Sequence, residues 1–283
     1  MDQRIINLYD EYTHRPLGRE EFLRKLAKLT GSVAAALTVL PLLEANYTVA
    51  QTTENGDLLT ERVDYPTPHG NMKAYLARPK AEKPYGAVIV IHENRGLNAH
   101  IEDVARRAAE AGFLALAPDA LSPLGGTPTN EDDARALFGK LVNEENVARF
   151  AAALPYLKGR KDCSGAVGCV GFCWGGAMAN NLAISVSELK AAVAFYGRQP
   201  ELAKVPSIKA AVQLHYASFD ERVNAGMADY ESALKAAGIH YEQYIYEGVN
   251  HAFHNDTSAA RYNKEAAELA WKRTIDFFNK QLI

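Results

Sequence analysis

A single cysteine set among glycines, in Val170-Gly171-Phe172-Cys173-Trp174-Gly175-Gly176, constrains this chain more than any other feature. Ala166 to Phe172 is apolar, glycine-punctuated and of strand length, and Gly176 to Ser187 carries apolar residues at helical spacing. Cys173 therefore falls on a strand-to-helix corner. A side chain held in strained backbone there stands clear of the sheet, and Gly171 and Gly175 leave room for strand and helix to pack closely, which is the geometry of a nucleophile elbow. The following helix aims free N–H groups and the positive end of its dipole at the thiol, favouring thiolate and any oxyanion beside it.

The chain has 283 residues, 48 % of them hydrophobic, which suffices for one large α/β domain plus an extension. Its net charge of -3, from 31 basic and 34 acidic residues, supplies no field for nucleic acid or an anionic membrane, so small molecules are the expected partners. Cys163, Cys169 and Cys173 make an odd number in a short stretch, which fits neither a disulfide framework nor a common zinc pattern. Cys169 reads as a core hydrophobe and Cys163 as a loop residue.

Residues 1–50 differ from the rest. Asp2 to Tyr12 is amphipathic, and Arg19-Glu20-Glu21-Phe22-Leu23-Arg24-Lys25 precedes an apolar run from Leu29 to Leu43, with Thr48-Val49-Ala50 beyond it. This layout is like a twin-arginine export signal with Glu20 in place of the second arginine. That loss, together with a run too short for a membrane span and broken by Pro41, favours a retained helical arm on the domain or on a second subunit of a homodimer. The protein is then expected in the cytoplasm, with the periplasm as the alternative if the segment acts as a signal. A polar linker is expected over 51–59 and the main domain over 60–283.

Strands are expected at Thr60–Tyr65, Met72–Ala77, Ala87–His92, Leu114–Ala117, Ala166–Phe172, Ala191–Tyr196, Ala210–Tyr216 and Glu242–Tyr246. Helices are expected near Ile101–Ala111, Glu131–Leu157, Gly176–Ser187, Ala225–Ala237 and Ala259–Lys280. The first two strands have no helix between them and should form a hairpin. The remainder alternates as a mostly parallel, doubly wound sheet with helices on both faces does.

Loops beyond the strand ends then offer Glu93, Asp220 and His251 at the same edge as Cys173. A thiol attacks only as thiolate, so Cys173 needs a base. His251 can take that proton and later activate water, and Asp220 can fix its tautomer. Backbone N–H groups of Trp174 and Asn94 would hold the oxyanion.

With those residues in place, the chain resembles the dienelactone hydrolase family, the carboxymethylenebutenolidases, over about residues 60 to 283. The resemblance is carried by Gly171-Phe172-Cys173-Trp174-Gly175-Gly176, His92-Glu93-Asn94, Phe219-Asp220-Glu221 and Asn250-His251-Ala252-Phe253. It implies an α/β-hydrolase fold, a Cys173-Asp220-His251 triad cleaving an ester or lactone through a thioester, and no cofactor or metal. It also implies that Glu93 pairs with the resting thiol, and that Tyr196 and Phe253 belong to the substrate pocket. A carboxylate against the thiol opposes its ionisation, so slow alkylation of the resting protein is expected. Asn255 stands where the family places an arginine for a substrate carboxylate, so neutral esters are expected to be cleaved at least as well as anionic ones unless Arg95 or Arg198 takes over. The alternatives are a thioesterase or aryl esterase, a redox sensor in which Cys163 or Cys169 resolves an oxidised Cys173, and a silent binding module on the same fold.

Overall fold

The computed structural model describes residues 1–15, 17–46, 53 and 56–283; Thr48-Val49-Ala50 and linker positions 51, 52, 54 and 55 lie outside the described residues. Three helices come first: α1 Gln3–His14, α2 Arg19–Thr30 and α3 Val33–Leu43. The domain then runs β1 Leu58–Thr67, β2 Gly70–Pro79, β3 Tyr85–Ile91, α4 Ala99–Glu110, β4 Leu114–Pro118, α5 Glu131–Phe138, α6 Asn143–Ala151 and α7 Ala153–Lys158. It continues with β5 Cys163–Phe172, α8 Trp174–Ser185, β6 Ala191–Phe195, β7 Ala211–Ala217, α9 Glu221–Asn224, α10 Met227–Ala236, β8 Tyr241–Tyr246 and α11 Lys264–Leu282.

The eight strands form one sheet in the order β1-β2-β4-β3-β5-β6-β7-β8. β2 is antiparallel to both β1 and β4, and every other pairing is parallel. β3 and β7 are buried along their whole length, as central strands covered on both faces must be, and the two polar side chains of β7, Gln213 and His215, are hydrogen-bonded. Edge strand β1 instead shows water Glu61, Arg62 and Asp64, charges that discourage pairing with another chain. Alternate residues feed two cores. Ile89, Ile91 and Leu214 pack under α6, α8 and α10, against Phe150, Met178 and Leu234. Val88, Val90 and Val193 pack under α4 and α11, against Val104, Phe277 and Phe278.

The chain leaves β3 for β4 on one side and returns to β5 on the other. That reversal opens a crevice beyond the C-terminal ends of β3 and β5, the place where open α/β sheets bind ligands.

Two local readings from sequence need correction. The helix expected over Glu131–Leu157 is three pieces, because the chain turns at Gly139 after α5 and the last piece, α7, is set off after Ala152. Cys163, expected in a loop, is the first residue of β5 and pairs with Tyr85.

The arm folds on its own apolar cluster, in which Tyr12 stacks on Phe22 at 4.3 Å and Leu26, Leu40 and Leu43 are buried. It docks across the C-terminal edge of the sheet. Tyr12 Oη donates to Asp132 at 2.6 Å, Arg19 pairs with Asp132 at 2.7 Å, and Arg261 lies over the Tyr9 ring at 5.0 Å. Among the described residues no single helix is long and apolar enough to cross a membrane, and α2 and α3 are bent by 111° relative to each other.

Gly175 lets α8 lie against β3: a Cβ built there would overlap the Ile91 carbonyl. Gly175→Ala should therefore cost about 3 kcal/mol, the upper end of overpacking penalties. Gly159→Ala, whose Cβ would meet its nearest atom at 3.4 Å, should leave stability unchanged or slightly raised. Urea denaturation midpoints of the two variants check this.

Candidate active site

Cys173 has φ 55° and ψ -110°, a conformation that Cβ-bearing residues rarely hold. Its N–H donates to the Phe195 carbonyl at 3.0 Å, which locks the corner to β6. Two further non-glycine residues with positive φ, Tyr196 and Ala252, flank the same site. Trp174 opens α8, so its N–H has no partner within the helix and faces the crevice end of the dipole. Asn94 follows β3; its side-chain Nδ2 donates to the Thr13 carbonyl at 2.8 Å and thereby ties the arm to this loop.

His251 and Asp220 come together as expected, with Nδ1 2.5 Å from Oδ2. Asp220 is held in turn by capping α9, where Oδ1 accepts from the Val223 N–H. His251 Nε2 is buried and makes no hydrogen bond. Burial opposes the cationic form of His251, but Asp220, Cys173 and Asp10 outweigh it and raise the imidazole well above its usual value. Burial likewise opposes ionisation of Asp220, and the His251 cation beside it brings the carboxyl below the usual range.

A residue that sequence reasoning missed completes the site. His14, the last residue of α1, places Nε2 3.0 Å from Cys173 Sγ. Its ring meets that of His251 edge-on, with centroids 4.6 Å apart. Nδ1 lies 2.9 Å from the Asp10 carbonyl, which has hydrogen-bond geometry, and 3.1 Å from Asp10 Oδ1, which acts as the charge partner. Asp10 and His14 are four apart on one face of α1, a spacing visible in the sequence. Nothing in the sequence says where that face docks. The donor atoms of His14, Cys173 and His251 lie within 4.8 Å of one another, and among the described residues these three could hold a soft divalent cation.

Glu93 sits otherwise than expected. Its carboxylate accepts from Asn255 Nδ2 at 2.8 Å and from Tyr196 Oη at 3.5 Å, and neither oxygen bonds Sγ. Asn255 is fixed for that task because its Oδ1 accepts from Thr257 N–H and Oγ1. Asn255, where the resemblance implied an arginine, thus holds the carboxylate, and the imidazole of His14 stands at the thiol where that carboxylate was expected. The consequence for Cys173 reverses. Burial pushes the thiol up, but His14 and His251 outweigh it and lower it from 9.0 to about 6.

The thiol opens on a cavity of about 650 Å³. Tyr196 is in its wall; Phe253, expected there too, is fully buried behind it, with ring centroids 5.4 Å apart. Arg15, Arg135, Arg198 and Arg222 line the cavity, and among the described residues no carboxylate does. Arg95 is turned to Glu131, 3.8 Å away.

Comparison with known proteins gives a consistent picture. The profile of the dienelactone hydrolase family matches residues 72–282. A Methylorubrum extorquens protein named "Putative carboxymethylenebutenolidase" is 31% identical over 283 residues, covering 94% of this chain and 96% of its own, so the likeness runs into the arm. A Saccharolobus solfataricus protein of the same name is 32% identical over 259 residues, covering 78% and 99%. Among solved structures, a "Putative Dienelactone Hydrolase" from Klebsiella pneumoniae superposes with a TM-score of 0.71 at 30% identity, covering 78% of this chain and 98% of its own.

Iodoacetamide reacts with thiolate, so its rate at Cys173 should rise through about pH 6 and be fully developed well below pH 9. Peptide mass spectrometry of labelling against pH checks this; a rise centred near 9 would mean that the imidazoles do not govern the thiol.

Proposed function

The chain belongs to the dienelactone hydrolase family, and from that premise we propose that it hydrolyses esters or lactones through a thioester on Cys173, with His251 and Asp220 completing the triad. The observation that carries this reading is the pairing of an elbow thiol with a buried, unpartnered imidazole Nε2 whose other nitrogen is fixed by Asp220.

In this reaction the thiolate attacks the acyl carbon and the carbonyl electron pair moves onto oxygen. N–H groups of Trp174 and Asn94 stabilise that charge without reorganising, which is the larger part of acyl-transfer catalysis. Collapse breaks the acyl C–O bond, the departing oxygen takes up the proton that the thiol had given to an imidazole, and a thioester is left on Cys173. His251 then takes a proton from water as the water oxygen bonds the acyl carbon, and the sulfur departs as thiolate. Asp220 stabilises the imidazolium formed in that step.

Four arginines and, among the described residues, no carboxylate in the cavity wall favour a substrate that carries a negative charge of its own. This revises the preference inferred from Asn255 alone, since the positive field comes from the residue after α1, from α5, from the loop after β6 and from α9 instead of from one matched residue. The redox alternative is disfavoured by Cys169, which is buried in the core layer on the opposite face of the sheet from that holding Cys173, its thiol pushed up to about 12.

Cys173→Ala should lower ester hydrolysis by roughly 10³-fold or more with folding intact. Unchanged turnover would remove the proposed mechanism. Of two esters of one alcohol, the one bearing a free carboxylate should show a kcat/KM roughly 10-fold higher than its neutral isostere, and the advantage should shrink as salt screens the arginines. Initial rates at low and high ionic strength decide it, and equal rates for both esters would leave the arginines without a part in selection.

A further inference from the structure

We propose that the N-terminal arm is part of the catalytic centre: His14, oriented by Asp10, is a second imidazole on Cys173 that holds the resting thiolate and delivers its proton to the leaving alcohol. The inference rests on the thioester reading above and divides its proton transfers between two histidines.

The geometry points this way for three reasons. His14 Nε2 makes the hydrogen bond to Sγ, at 3.0 Å, while His251 Nε2 is buried without a hydrogen-bond partner. With Nδ1 turned to the Asp10 carbonyl and carboxylate, His14 can carry a proton on both nitrogens and donate from Nε2 to the thiolate. His14 also ends α1, where the negative end of the helix dipole favours a cation.

The arm is anchored from both sides of this contact. Gln3 bonds Asn250 beside His251, Thr13 receives Asn94, and the backbone of Ala260 donates to Leu42. His14 lines the cavity next to Cys173 and Trp174 without filling it, so the contact leaves the site accessible. The charged and titratable groups that face the pair are His251 with Asp220, Arg222 at 3.6 Å from Asp10, Arg261 and Glu93, with Tyr196 against the thiol.

In the resting state the thiol proton is on His14. Attack forms the C–S bond, collapse breaks the acyl C–O bond, and the alcohol leaves with the His14 proton. Water then gives a proton to His251 and its oxygen to the acyl carbon; the C–S bond breaks, and the proton held by His251 restores the His14 cation. The sum is ester plus water giving acid plus alcohol.

The test compares full-length wild type, His14→Gln, His14→Ala, Asp10→Asn and Cys173→Ala with EDTA present, so that no metal held by the two imidazoles and the thiol contributes. Iodoacetamide labelling of Cys173 against pH and the separate values of kcat and KM are read for each. His14→Gln should move the labelling midpoint up by about one pH unit or more and lower kcat by roughly 10²-fold, a usual share for one acid-base group. Asp10→Asn should shift the midpoint the same way by less, with KM little changed. Added imidazole should restore turnover to His14→Ala in a saturable manner. Labelling and kcat of His14→Gln and Asp10→Asn that coincide with wild type, while Cys173→Ala is inactive, would overturn the role of His14 and leave the thioester reading standing. Turnover surviving in Cys173→Ala would overturn both. If His14→Gln fails to fold, His14→Ala with and without added imidazole decides together with the Asp10→Asn midpoint, because Asp10 also faces His251 and its variant by itself does not separate the two histidines.

Discussion

Close backbone approach at Gly171 and Gly175 is the constraint on which this structure depends. A Cβ at Gly171 would overlap the Gly175 carbonyl, and one at Gly175 would overlap Ile91, so only glycines let β5 turn straight into α8 beneath the crevice. The turn forces Cys173 to positive φ, and the N–H bond to Phe195 holds it there. The other site residues arrive at a place this corner defines: Asn94 after β3, Tyr196 after β6, Asp220 after β7, His251 after β8 and His14 from α1 of the arm. The twofold burial of the sheet supplies the rigidity that keeps four loops in register.

Electrostatics at the corner are a contest between burial and two imidazoles. Burial by itself would leave Cys173 a neutral thiol and both histidines neutral bases. Asp10 behind His14 and Asp220 behind His251 tilt the contest toward ionised sulfur. Each imidazole has its own carboxylate, and the two come from opposite ends of the chain. The Glu93 carboxylate is held by Asn255 Nδ2 and makes no hydrogen bond to the thiol.

The sequence made the domain legible because its signals are local. Eight strands, the hairpin of β1 and β2 and the loops bearing Cys173, Asp220 and His251 follow from apolar runs and their order, and their ends moved by only a residue or a few. The helix expected over Glu131–Leu157 broke because local turns at Gly139 and around Ala152 are weaker signals than a long helical period. What could not be read was docking. α1 announces an amphipathic helix, yet the partner of its polar face is decided by contacts to Asn94, Asp132 and Asn250, far along the chain. His14 was therefore invisible as a site residue, and the carboxylate expected at the thiol was placed there for want of it. Phe253 failed for a similar reason, since a run of aromatics does not tell which ring faces the cavity and which supports it.

The central claim is that acyl transfer passes through Cys173. Wild-type protein mixed with an activated ester and acid-quenched during turnover, then weighed intact and digested, tests it directly. The account predicts one acyl group per chain, carried on the peptide containing Cys173 and released by hydroxylamine as a thioester is. Continuing turnover with no acyl group on Cys173, or with the group on another residue, would contradict it.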